Sequence, residues 1–260
     1  MSENRLRKSC RKFYINPIEV EKRLAIRKAV ILADSKGKYI EREVITEHCL
    51  KVKSIWKKGW KIQDCINWAK NNLTTIFDAT EKYTFYIWLG TCDITHLDKK
   101  TRLISLESED STNVWDIIRK FNELKEIIVS KIARADVVFL EVPSISIQHW
   151  NYSQGHTNYK DYEDQDKKLE LHLDILNEEI RKVNGSGDRS PRFMQDLWRG
   201  SKGHNPRSHT KTYTDLSLLE RDGVHPKKTL ARLWLRRIAT KILTDCFSKI
   251  PANQLWQSNK

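Results

Sequence analysis

Apolar positions along the chain fall into short continuous runs, separated by stretches in which they recur every three or four places. Ala29-Val30-Ile31-Leu32-Ala33 is the first run, and Val52 to Trp56, interrupted by Lys53 and Ser54, is a second short apolar stretch. Tyr83 to Leu89 is the third and clearest; Asp136 to Val142 is the fourth, stopped by Pro143. A short apolar run bounded by turn residues is the pattern of a strand buried on both faces, as in a parallel sheet. The intervening periodicity predicts helices over about 38–50, from Ile62 through Cys65, Ile66 and Ala69, over 114–132, and over 165–184, where Asn184-Gly185 ends the last. A final amphipathic helix carries Leu230, Trp234, Leu235, Ile238 and Ile242 on one side and Arg232, Arg236 and Lys241 on the other. Strands alternating with helices predict a layered α/β sandwich around a mostly parallel sheet.

The remaining segments are polar or basic. Residues 1–28 read as a basic arm with a short helix from Ile18, 144–164 as irregular, and 248–260 as a tail. Residues 185–214 form a turn-rich insertion, and between 189 and 211 Arg189, Arg192, Arg199, Lys202, Arg207 and Lys211 stand against one acid, Asp196; a short strand is expected at 192–198. The folded domain is therefore expected over 29–247.

Composition narrows the class. A chain of 260 residues can bury a substantial core, and 39% hydrophobic content with nine Trp argues against disorder despite 31% charged residues. No apolar run approaches the roughly 20 residues of a membrane span, and no signal-peptide core opens the chain. The expectation is an intracellular protein, cytoplasmic or nuclear, without a membrane partner. Cys10, Cys49, Cys65, Cys92 and Cys246 are odd in number and lack a C-x-x-C pair, which points to reduced thiols rather than a disulfide framework or zinc site. The net charge of +13 suits a polyanion such as nucleic acid, with Arg189, Arg192, Arg199, Lys202 and Arg207 as candidate contacts, but serves solubility equally well.

The chemistry gathers where strands end. Asp34-Ser35 follows the first run, Gly59 the second, Gly90-Thr91-Cys92-Asp93 the third, and Asp222-Gly223-Val224-His225-Pro226 opens the last helix. In a parallel sheet these ends share one edge, the edge at which ligands bind. Asp34-Ser35 alone reads equally as a helix N-cap. A serine hydroxyl needs a base to become a nucleophile, and a histidine base needs a carboxylate to fix its tautomer; Asp222 lies one turn before His225. Backbone N–H groups at Ser35 and Gly59 are placed to receive a developing oxyanion. His149, His156, His204 and His209 have no metal-site spacing and read as surface residues. Trp56, Trp60, Trp68 and Trp88 read as core and site wall rather than a base-stacking platform.

These four blocks, in this order over 29–247, resemble the SGNH (GDSL-like) hydrolase family. The resemblance implies a flavodoxin-like three-layer α/β/α fold and serine esterase or acyl-hydrolase chemistry on a small ester, with no metal and no cofactor. It implies Ser35 as nucleophile, His225 as base and Asp222 as its partner. Ser35, Gly59 and Cys92 would form the oxyanion hole, with Asp34, Gly90 and Asp93 structural around it. Two positions depart from the family pattern: Ala33 stands at its first-block glycine and Cys92 at its third-block asparagine. A thiol is a weak donor where an amide would donate to the oxyanion. Alternatives therefore stand beside the esterase. One is a catalytically weak SGNH-fold module that binds nucleic acid, of the kind encoded by some LINE-type retrotransposons; another is a carbohydrate-ester deacetylase.

Overall fold

The structure, a computed structural model, describes residues 23–42, 52–200 and 212–249. Its centre is a four-stranded parallel sheet of β2 (Lys28–Ala33), β3 (Val52–Trp56), β4 (Tyr83–Trp88) and β7 (Ala135–Phe139), in the order β3-β2-β4-β7; β5 (Thr95–Leu97) and β6 (Ile104–Leu106) form a separate antiparallel pair. Side chains alternate across a strand, and that alternation divides the core in two. Val30 and Leu32 of β2, with Phe85 and Ile87 of β4, face α2 (Ile62–Ile76), α4 (Thr112–Lys131) and α6 (Glu163–Asn184). Ala29, Ile31 and Ala33, with Tyr86 and Trp88, face α8 (Lys228–Cys246) and Ile40 of α1 (Lys36–Glu41). The result is the expected α/β/α sandwich, with both faces covered and four apolar runs as its strands.

β2 is extended on one side by β3 and on the other by β4, with Ala33 level with Trp56 and Trp88. The strand order therefore reverses at the carboxyl end of β2, the kind of switch point that opens a crevice in an α/β sheet. Asp34 and Ser35 are the first residues beyond it.

Several boundaries differ from expectation. Residues 192–198 form not a strand but α7 (Phe193–Leu197), with a short strand, β8 (Trp198–Gly200), only after it, paired with β9 (Thr212–Thr214). Phe193, Met194 and Leu197 are all buried, a spacing that suits a helical turn. The stretch 144–164 contains α5 (Ile147–Ser153) and a 3-10 turn at Tyr159–Tyr162. At the front of the chain, β1 (Arg23–Ala25) pairs antiparallel with β10 (Phe247–Lys249), joining a piece of the expected arm to the expected tail. Arg27 is likewise committed to the fold: its guanidinium donates to the carbonyls of Tyr83 and Arg134 and pairs with Asp136 at 3.0 Å. The helix expected from Ile18, and all but the first turn of the one expected over 38–50, lie outside the described residues. No described helix is long and apolar enough to cross a membrane.

Candidate active site

The turn after β2 is built around Ser35. Asp34 is almost fully buried, and its Oδ1 accepts the Lys36 backbone N–H at 2.9 Å. Its other oxygen, Oδ2, pairs with the Lys36 ammonium, which also donates to Thr91 Oγ1 at 2.6 Å. Ser35 stands at the N-cap position of α1, yet its hydroxyl makes no capping bond. It lies 2.8 Å from His225 Nε2 instead, so the helix-cap reading does not describe it.

His225 is held by a second turn. Asp222 Oδ1 accepts the backbone N–H of Val224 at 2.9 Å and of His225 at 3.0 Å, closing the turn on itself. Asp222 Oδ2 meets His225 Nδ1 at 2.6 Å. With Nδ1 donating to that carboxylate, Nε2 of the neutral ring is an acceptor and faces the Ser35 hydroxyl. Burial works to raise the Asp222 carboxyl, but the hydrogen bonds from His225 outweigh it and hold the group below its ordinary value. Asp222 therefore stays ionised at neutral pH. Tyr39, one turn beyond Ser35 on α1, stacks on the imidazole with centroids 4.7 Å apart and planes 19° apart. The Arg42 guanidinium lies 5.6 Å from the Tyr39 ring.

Further side chains brace this turn. Ser146 N–H donates to the Gly223 carbonyl at 2.9 Å. The Ser146 hydroxyl donates to Asp166 Oδ2 at 2.6 Å and lies 3.0 Å from His149 Nδ1. This is a second Ser-His-Asp grouping, but Ser146 is 1% exposed and its carboxylate partner bonds the serine rather than the histidine. It is a support for the turn.

The other expected residues divide by environment. Gly59 lies in the turn just past β3, where Lys57 N–H donates to the Ala33 carbonyl at 3.1 Å. The N–H groups of Ser35 and Gly59 donate to no acceptor among the described residues. Gly90 opens a short helix, α3 (Thr91–Ile94), and its carbonyl accepts the N–H groups of Asp93 and Ile94. Asp93 is structural: both carboxylate oxygens accept the Ile62 N–H at the start of α2. Burial raises its pKa to about 6. Cys92 is half-buried, and burial, followed by the nearby Asp34 carboxylate, pushes its thiol up to about 12. It is a neutral thiol at physiological pH.

Three of the five basic candidates lie among the described residues, and their environments differ. Arg199 turns inward: it is 9% exposed, pairs with Asp215 at 3.0 Å and donates to the carbonyls of Asp196 and Trp198. This corrects its assignment as a phosphate contact, because a guanidinium spent on a carboxylate and two carbonyls inside the fold is not offered to solvent. Arg189 and Arg192 are exposed, and Lys202 and Arg207 lie outside the described residues. Lys241, expected on the basic side of the last helix, is largely covered there and pairs with Asp188 and Asp245. Trp60 and Trp88 are buried in the core, with Trp56 and Trp68 packed at its margin. Among the described residues no three His, Cys, Asp or Glu side chains gather as a metal site, and Cys65, Cys92 and Cys246 are free thiols.

Sequence reasoning missed Lys36, Tyr39 and the Ser146–Asp166 brace. Tyr39 had a detectable signal, since a residue four places beyond Ser35 on a helix lies on the same face. Lys36 had none, because only its neighbours in space make its burial possible.

No protein-family model matches the sequence, and no curated protein is similar to it. Among solved structures, the chain is similar to a lipase/acylhydrolase from Enterococcus faecalis at 13% identity, with 87% of this chain and 100% of that one covered and a TM-score of 0.51. It is similar also to a GDSL-like lipase from Bacteroides thetaiotaomicron at 12% identity, with 92% and 97% covered and a TM-score of 0.54. At such identities the likeness is one of architecture, and with the parallel sheet described above it establishes that the chain has the SGNH, GDSL-like fold.

Proposed function

We propose that the protein is a serine esterase or acyl hydrolase of the SGNH kind, acting on a small ester. The observation that carries the reading is the unbroken hydrogen-bonded line from Ser35 Oγ through His225 to Asp222, at 2.8 Å and 2.6 Å. Three polar groups from opposite ends of the sequence meet there with the donor and acceptor order that acyl transfer needs.

Ser35 Oγ attacks the ester carbonyl carbon as its proton passes to His225 Nε2. Asp222 keeps the ring oriented and stabilises the imidazolium that forms. Negative charge develops on the carbonyl oxygen, where the unpaired N–H groups of Ser35 and Gly59 are available as donors. Collapse of the tetrahedral adduct breaks the bond to the alcohol, which leaves with the proton from His225. Water then attacks the acyl-serine by the same steps and restores the free hydroxyl. Binding at the carboxyl end of β2 brings the carbonyl against Ser35.

Hydrolysis of p-nitrophenyl acetate by the purified protein and by Ser35→Ala, His225→Ala and Asp222→Asn tests the reading. The expected result is a fall of at least about 10³-fold for each of the first two, and a large fall for the third, because these groups act as a unit. Equal turnover by Ser35→Ala and the unaltered protein would place any activity elsewhere.

A further inference from the structure

Lys36 takes no part in the proton relay, yet it is 1% exposed and immediately follows the proposed nucleophile. Lysine is almost never buried to this degree without a partner. Here its ammonium meets the Asp34 carboxylate and the Thr91 hydroxyl, and lies 5.5 Å from the centre of the Trp88 ring. The two partners belong to different strand ends: Asp34 follows β2, and Thr91 follows β4.

That placement matters because the sheet stops holding these segments together at this level. The β2–β4 ladder ends at Ala33 beside Trp88, and the next link, Asp34 N–H to the Trp88 carbonyl, is already 3.4 Å long. Beyond it, the hydrogen bonds that join the Ser35 turn to the Gly90–Asp93 turn among the described residues run through Lys36. The backbone N–H of Lys36 is also tied to Asp34, so both residues flanking Ser35 are fixed by one carboxylate.

We propose that Lys36 is a positioning residue for the acyl-transfer site, one that sets the separation between the Ser35 turn and the Thr91–Cys92 turn. The inference rests on reading Ser35 as the nucleophile. A buried ion pair contributes little net stability relative to packed apolar side chains of the same size. The effect of Lys36 therefore falls on geometry, and a misplacement of about 1 Å in a reacting site costs about 10²-fold in rate. Lys36 itself stays out of contact with substrate.

Two variants separate this role from simple support of the fold. Asp34→Asn/Lys36→Met removes both charges, keeps an oxygen at residue 34 for the amide of residue 36, and fills the space of the lysine stem. Thr91→Val keeps the ion pair and cuts only the link to the second turn. The first measurement is inactivation by a fluorophosphonate, resolved into its maximal rate and its half-saturating concentration, beside the melting temperature. The double variant is expected to melt within a few degrees of the unaltered protein, and to lose about 10–100-fold in maximal rate with half-saturation unchanged. Thr91→Val is expected to lose roughly tenfold in the same parameter. The second measurement is amide hydrogen exchange, where Thr91→Val is expected to speed exchange in 34–38 and 90–95 together. An unaltered maximal rate in a folded double variant, or Thr91→Val matching the unaltered protein in both measurements, overturns the proposal. Complete failure of the unaltered protein to react would instead overturn the esterase reading, and the exchange data would then decide whether Lys36 joins the two turns.

Discussion

Gly223 and Gly59 share a backbone conformation, with φ of +66° and +68°, but not an environment. A side chain placed in this left-handed region costs about 1–2 kcal/mol. At Gly59 nothing lies within 4 Å of an added methyl, so Gly59→Ala is expected to lose only that amount. At Gly223 the methyl would fall far inside contact distance of His149 Cβ, and 3.3 Å from both the Cβ and the carbonyl oxygen of Ser146. These are backbone and near-backbone atoms of α5 and its cap, so neither can swing away. Overpacking of this kind adds about 1–3 kcal/mol, giving about 2–5 kcal/mol in all for Gly223→Ala. The displaced turn is the one that carries Asp222 and His225, so esterase activity is expected to fall with stability. Urea unfolding followed by tryptophan fluorescence measures both variants, with the slope checked for constancy. Equal destabilisation by the two substitutions would refute the reasoning, since only the packing distinguishes them.

Three other outcomes are expected. Cys92→Asn should raise turnover of a p-nitrophenyl ester, by up to about 10²-fold with KM little changed, if residue 92 faces the oxyanion; a loss of about 1–3 kcal/mol of stability without faster turnover would show an unpaired buried amide instead. Asp93 has a pKa of about 6 in the folded protein, against about 3.9 in an unfolded chain. It therefore favours the fold at low pH, and that contribution is lost as pH rises through about 6. Asp93→Asn should lessen the fall in stability between pH 4 and 7 by about 2–3 kcal/mol; Asp196, also raised to about 6, leaves part of it in place. Parallel pH curves for the two proteins would contradict this. The net charge of +13 is expected to retain a generic duplex oligonucleotide at low salt, with log affinity falling by about 0.9 per neutralised phosphate for each decade of salt; no retention at low salt would reduce the charge to a role in solubility.

The main sheet was legible because strands covered on both faces must be apolar at nearly every position, as all six residues of β4 are buried. The meeting of the candidate site residues was legible for a related reason. Polar punctuation at the carboxyl end of a buried strand has few structural uses, and Ser35, Gly90 and Asp93 all stand there. The three-residue pair β1–β10 carried no such signal, since a partner distant in sequence, rather than local composition, makes each a strand. The ion pairs of Arg199 and Lys241 were not legible, because sequence does not show that Asp215 and Asp188 lie beside them in the fold. Lys36 is the same case at the site itself. Its burial depends on Asp34 two residues away and Thr91 across the sheet, and only their meeting makes it intelligible.

The central claim is that Ser35 is a nucleophile activated by His225. Its most direct test is to treat the purified protein with a fluorophosphonate and locate the adduct by peptide mass spectrometry, with His225→Ala alongside. A single adduct on Ser35, formed quickly in the unaltered protein and very slowly without His225, is the expected result. An unmodified Ser35, or an adduct formed equally fast without His225, would contradict the account.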